Sequence, residues 1–402
     1  MPTYTYIAKS TPQQSIKGNI EAESEQEAIN KLTKMGLFPI SVSIQNLTLD
    51  KTRGLSLKKI SNRDVVIFTR QLSTLIASGV NILNGLNIVA NQTPNKYFKT
   101  ILNDAINKIK DGRSLSKSLS IYPYIFSNLY TSTIHSGEVG GHIEVSLNRL
   151  ADFLEKTEEF KNSIRASLAY PFFVLIVGVA TIVILLGFVI PRLVTMFEDM
   201  GQILPLPTRI LIGLSGFLRT FGWLILGMII LSIFLLRRFR RTWRGKILWD
   251  NFKLKLIILG KILLRSEVSR LMRTLSLLLS SGITIIYSLD ISISVIENQI
   301  LKLEVQKFKD KISNGLSFSQ CLKDSKLFPP FVTSIITVGE ETGTLEKSLL
   351  RIADDYEREV DRSLKNLARL LEPMIILVMG LIVGFIVLSM LLPIFQINLI
   401  VR

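Results

Sequence analysis

The sequence predicts an all-α membrane protein: two homologous cytoplasmic helical bundles, three transmembrane helices and a small α+β module at the N-terminus. Three observations lead there. The chain repeats itself over a long stretch. It holds uncharged apolar runs long enough to span a bilayer. Its positive charge is concentrated beside one of those runs.

The N-terminal module covers residues 1–46. "TYTYIAK" and "KGNIEAE" alternate as strands do. "SEQEAINKLTKMG" reads as a helix, with Ser24 and Glu27 as a capping box and Gly36 as its stop. "FPISVSI" reads as a return strand, and residues 47–60 form a polar, basic linker. The opening residues lack the basic-then-apolar order of a signal peptide, so the N-terminus is expected to stay in the cytoplasm.

The first bundle is expected over 61–169 and the second over 237–372. An offset of 203 matches Arg70, Leu72, Ser73 and Gly79 with Arg273, Leu275, Ser276 and Gly282. After the loss of one residue the offset is 202. It then matches Phe126 with Phe328, Asp152 with Asp354, Glu155 with Glu357, and Pro171 with Pro373. Copies this long are duplicated domains rather than solenoid units. In the first copy, Ser61 and Asp64 resemble a capping box. Val65, Phe68, Leu72 and Ile76 then mark one apolar helix face, which Gly79 ends.

Three spans follow from composition. Residues 171–191 and 373–393 are uncharged and bounded by prolines, each of which is expected in the first turn of its helix. With one preceding residue the first span is taken as 170–191. The run 210–236 contains Arg219, but its part from Thr220 to Leu236 is uncharged and just long enough, with Arg219 snorkelling to the far interface. Arg237, Arg238, Arg240, Arg241 and Arg244 follow at once and orient the chain, because Lys and Arg stay on the cytoplasmic side. The loop 192–209 and the tail 394–402 then face the periplasm. In the third span Gly380 and Gly384 have the spacing of a helix-packing motif.

The formal net charge is +16, but it clusters beside a span, where orientation and anionic headgroups account for it better than nucleic acid does. "GEVGGHIE" at 137–144 and "GEETGTLE" at 339–346 invite comparison with a phosphate loop. No Lys-Ser follows "GEVGGHIE"; "GRSLSKS" at 112–118 and "GTLEKS" at 343–348 each have a Gly and a Lys-Ser but lack the second glycine of a P-loop, and neither follows a predicted strand. Gly137, Gly141, Gly339 and Gly343 therefore read as helix–turn–helix corners. Glu138 and Glu340 read as carboxylates at the start of the following helix, or as partner contacts. His135 and His142 read as solvated turn residues. Glu144, Asp152, Glu155 and the "DDYEREVDR" stretch read as a charged helix surface, and Cys321, opposite Ser118, as a small core filler. No catalytic residue, cofactor or metal site is expected. Spans one and three carry no ionisable residue, which disfavours a transporter.

The motifs "FTRQLSTLIASGV", "GRSLSKSL", "GEVGGHIEVSLNRLADFLEK", "AYPFF", "VIPRLVTMFEDMGQILPLPTR" and "LFPPFVTSIITVGEETGTLEKSL" resemble the type II secretion system protein F and type IV pilus assembly protein C family. The resemblance spans nearly the whole chain, and the stretch ending "LPLPTR" leans toward the secretion branch. It implies a platform protein of the bacterial inner membrane that is not an enzyme. The implied partners are a cytoplasmic hexameric ATPase, other inner-membrane components, pilin or pseudopilin subunits, membrane lipids and further copies of itself. Some members hold a cation near the first bundle. Asn148 stands where such a site would want a carboxylate.

Overall fold

The computed structural model describes residues 3–11, 14–22, 24–44, 60–191, 205–325 and 327–400. The chain divides into two compact units, Met1–Lys59 and Ile60–Arg402. Most of the linker expected at 47–60 lies outside the described residues, as do 192–204 and 401–402.

In the first unit, β1 (Thr3–Thr11) is the central strand of an antiparallel sheet. It lies between β2 (Gln14–Glu21) and β3 (Phe38–Ile44). Gly18 faces Tyr6 across the ladder, and a Cβ there would lie 2.6 Å from the tyrosine oxygen. Helix α1 (Glu25–Lys34) starts where the Ser24 side chain accepts from the Glu27 amide at 3.3 Å. Gly36, at φ +75°, turns the chain back. Ala8, Ala22, Ala28 and Leu32 are buried beneath.

In the second unit, the first bundle comprises α2 (Asn62–Ala77), α3 (Ile82–Gln92), α4 (Lys96–Lys110), α5 (Leu115–Leu119), α6 (Asn128–Val139) and the first half of α7 (Ile143–Ile184). Helices α2 to α6 begin at Ser61, Asn81, Asn95, Ser114 and Ser127, and each of these side chains accepts from an amide of its first turn that has no partner within the helix. At the first start Asp64 completes the box by accepting from the Ser61 amide at 2.9 Å. Phe68, Phe98, Phe126 and Tyr130 fill the core, with ring centroids 5.0–6.3 Å apart. Burying each ring contributes about 1.5–3 kcal/mol.

The second copy follows α8 (Leu206–Phe239) and an added helix α9 (Trp243–Lys255). It comprises α10 (Leu259–Ser280), α11 (Ile285–Val295), α12 (Gln299–Ser313), α13 (Phe318–Lys323), α14 (Pro330–Glu341) and the first half of α15 (Leu345–Ile400). Its core is filled from different positions. Phe68 and Phe98 become Leu271 and Leu301, while Leu115 and Ala105 become Phe318 and Phe308. The hydrogen bond between Thr69 and Tyr130 at 2.9 Å is replaced by Met272 and Val332, both fully buried. Both polar partners are exchanged together, so neither is left unsatisfied. Cys321 and Ser118 are both buried at equivalent places.

The bundles are not separate bodies. Leu277, Leu278 and Ile291 of the second copy belong to the core of the first. The Ser136 hydroxyl donates to the Ser281 carbonyl at 2.5 Å. Further along, Phe160 and Ile164 pack with Val360 and Leu364, and Ser163 donates to Asp361.

Helices α7 and α15 run unbroken from bundle to apolar segment, 42 and 56 residues long. By length and composition Ile143–Val189 and Leu345–Leu392 can each cross a membrane. This corrects the expected place of the prolines. Pro171 lies inside α7 and Pro373 inside α15, and neither starts a helix. The carbonyl each proline strands lies one turn upstream, on the polar side of the boundary, where water can satisfy it. No structural break therefore marks the boundaries at 169 and 372. Likewise α8 begins at Leu206 rather than 210, and α15 continues to Ile400 through most of the expected tail. A π-helical turn at Leu185–Val189 extends α7. Ser215 of α8 donates to the Leu186 carbonyl there at 2.6 Å, and Thr208 donates to the Ser389 carbonyl at 2.6 Å. The side chain of Arg219 lies outside the described residues.

Candidate functional site

The repeated glycine-and-glutamate stretches form the corners between α6 and α7 and between α14 and α15. Gly141 and Gly343 have φ of +69° and +66°, a region that L side chains rarely adopt. Gly137 and Gly339 serve close approach instead. A Cβ on either would lie 2.5 Å from the hydroxyl of Ser146 or Ser348 on the next helix.

Glu138 and Glu340 do not sit at the start of the following helix. They end α6 and α14 and reach back to an earlier one. The Glu138 carboxylate accepts from the amides of Leu115 and Ser116 at 2.6 and 3.2 Å and from the Ser116 hydroxyl at 2.5 Å. Glu340 accepts from the amides of Phe318 and Ser319 at 2.7 and 3.0 Å. The stretch "GRSLSKS", with its Gly and Lys-Ser, thus has the amides at its helix start filled by the protein's own carboxylate. The sequence signal for this pairing was present, since Glu138 and Glu340 follow the second serine of a Ser-x-Ser helix start, Ser116 or Ser319, by 22 and 21 residues.

His135 is part of α6 rather than a turn, and its Nδ1 lies 3.5 Å from the Ser116 oxygen. This is not a catalytic relay. The serine gives its proton to Glu138, and among the described residues no acid orients the histidine. His142 turns its ring onto the Gly140 carbonyl at 2.9 Å. Both histidines and Ser116 line a cavity of about 720 Å³ where α5 and α6 meet the α10–α11 turn.

Asp152, Glu155, Asp354 and Glu357 are joined across helices to arginines, although Asp152 stays exposed. Arg70 of α2 binds Glu155 through two bonds of 2.7 and 2.5 Å, Asp152 at 2.5 Å and Asn148 at 3.1 Å. Arg273 of α10 binds Glu357 at 2.7 and 2.6 Å and Asp354 at 2.6 Å. Each arginine thereby clamps its bundle to the long helix leaving it. The copies differ in burial. The Arg70 guanidinium holds the Glu155 carboxyl below its usual range. Burial holds the Glu357 carboxyl above it, against the pull of Arg273. Glu144 remains exposed, and Asp355 pairs with Arg358 on the same helix at 2.6 Å.

A Cβ on Gly380 or Gly384 would meet nothing within 4 Å among the described residues. The close contact between α7 and α15 is at Gly178, where a Cβ would lie 2.8 Å from Met379. Arg237 and Arg238 form the last turn of α8, Arg240 and Arg241 the turn after it, and Arg244 the first turn of α9.

Residues 68–191 and 271–393 each match the family described as type II secretion system (T2SS), protein F. Residues 1–43 match the N-terminal domain of that protein. A type IV pilus assembly protein PilC from Thermus thermophilus is 36% identical over 99% of this chain and 98% of its own length. Pseudomonas aeruginosa has relatives of both kinds. Its type II secretion system protein F is 32% identical over 99% of each chain, and its PilC is 33% identical over 91% of this chain and 97% of its own.

Proposed function

The chain belongs to the type II secretion system protein F family, and from that premise we propose that it is an inner-membrane platform which transmits work from a cytoplasmic ATPase to a growing pilus or pseudopilus. The observation carrying this reading is the pair of unbroken helices α7 and α15. Each starts in a helical bundle, is clamped there by Arg70 or Arg273, and runs on into an apolar segment. A displacement of a bundle is thereby conveyed to the membrane without a hinge.

In this reading α8 is a further span. The N-terminus is cytoplasmic, the C-terminus is periplasmic, and the arginines after α8 set the orientation. Partners are the ATPase, pilin-like subunits, other membrane components and further copies of the chain. Two relatives from one organism differ by a single percentage point, so the motif lean toward secretion is not supported over pilus assembly. The reading is tested by deleting the gene and measuring surface pili and exoprotein release. Loss of one assigns the branch, and loss of neither rejects the platform role. A periplasm-dependent reporter fused after Arg402 is expected to be active, and an inactive one overturns the three-span topology.

A further inference from the structure

The second copy has one helix, α9, without a counterpart among the described residues of the first. It packs against α10 and α12 directly after the apolar helix α8 ends. Between them lies a cavity of about 570 Å³. Its lining includes the cations Arg237, Arg240, Arg241, Lys246, Lys253 and Lys302.

Three carboxylates also line it, and each already has a donor. Asp250, buried, accepts from the Gln299 amide at 3.0 Å. Glu267 accepts from the Glu297 amide at 3.1 Å, and Glu297 from Arg270 at 2.8 Å. Of the cations, Arg240 lies over the Trp249 ring at 5.5 Å and Lys253 lies 3.7 Å from Asp250. Among the described residues Arg237, Arg241, Lys246 and Lys302 make no ion pair. Six cations thus share one hollow with three carboxylates, which leaves an excess of positive charge that an anion can join.

We propose that this hollow seats the phosphate headgroup of an anionic phospholipid. Its position selects the lipid over other anions, because Arg237, Arg240 and Arg241 stand at the end of the apolar helix α8, whose exposed side chains Leu231, Leu235 and Phe239 offer a surface for acyl chains. The bound headgroup would tie α8 to α9 and α12, so that the bundle moves with the membrane surface. The proposal rests on α8 being a span, which the reporter fusion tests separately.

The test is native mass spectrometry of the full chain, released from nanodiscs of phosphatidylcholine with a minor share of phosphatidylglycerol. The wild type is expected to retain one phosphatidylglycerol. Arg241→Gln with Lys302→Gln is expected to lower that retention about thirtyfold, at about fivefold per charge near an anionic surface. Lys255→Gln with Lys261→Gln removes equal charge from the same segment outside the hollow and is expected to leave retention unchanged. Arg241→Lys with Lys302→Arg is expected to restore it, which separates loss of the seat from loss of the fold. Equal loss in both double variants, or equal retention of phosphatidylcholine, would overturn the proposal. So would displacement of the lipid by millimolar inorganic phosphate, which would make the hollow a site for a free anion.

Discussion

Replacing Glu138 is the sharpest probe of how the corners are built. Its carboxylate receives two backbone amides and one hydroxyl from the start of α5, and all three bonds are charge-assisted. Such bonds contribute about 1.5–3 kcal/mol each where buried, and the half-buried setting reduces this. Glu138→Ala leaves the Leu115 and Ser116 amides facing a gap, and the expected loss is about 2–4 kcal/mol of bundle stability. From sequence alone Glu138→Gln is expected to leave folding intact. The geometry changes that. A carboxamide keeps one acceptor oxygen but turns an NH₂ toward the other donor, at a cost of about 1–2 kcal/mol. The assay is hydrogen exchange of the detergent-solubilised chain read at peptides covering Leu115–Leu119. An opening free energy lowered by about 1.4 kcal/mol raises exchange tenfold. Glu340→Gln is expected to do the same at Phe318 and Ser319. Unchanged exchange in both variants, with an unchanged melting temperature, would show that the carboxylates do not hold these helix starts.

Gly137→Ala is expected to destabilise the first bundle by about 1–3 kcal/mol, since the added methyl meets Ser146 and the Ile143 backbone. Ser146→Gly in the same chain should recover part of the loss, measured by thermal unfolding. Gly141→Val fails for another reason, its positive φ, so the same second substitution should not rescue it. Acid separates the two clamps. Glu155 has a lowered pKa, so its contribution is complete above the ordinary glutamate range and is lost as pH falls through the folded value. Glu357 has a raised pKa, so its ionised form costs stability as pH rises past the ordinary range toward the folded value. Lowering pH from neutral through and below the ordinary glutamate range is therefore expected to loosen α2 from α7 before α10 from α15. Exchange rates corrected for intrinsic pH dependence should show that order, and the reverse order would refute the assignment.

Periodicity, caps and repetition are local properties, and the sequence determined what depends on them. The apolar face of α2, its Ser61–Asp64 start and its stop at Gly79 could be read directly, because each rests on residues within one or two helical turns. The duplication was legible as a fixed offset. The apolar runs at 171–191 and 373–393 needed only composition. What the tertiary structure decided involves partners far apart in the chain. Glu138 finds its amides 22 and 23 residues upstream, and Arg70 finds Glu155 85 residues away. A charged helix surface and an interhelical clamp have the same local pattern, and only packing tells them apart. The prolines show the same limit. Local preference puts Pro171 in a first turn, but the residues before it are held helical by their bundle. A helix already formed tolerates one missing hydrogen bond more readily than it would start anew.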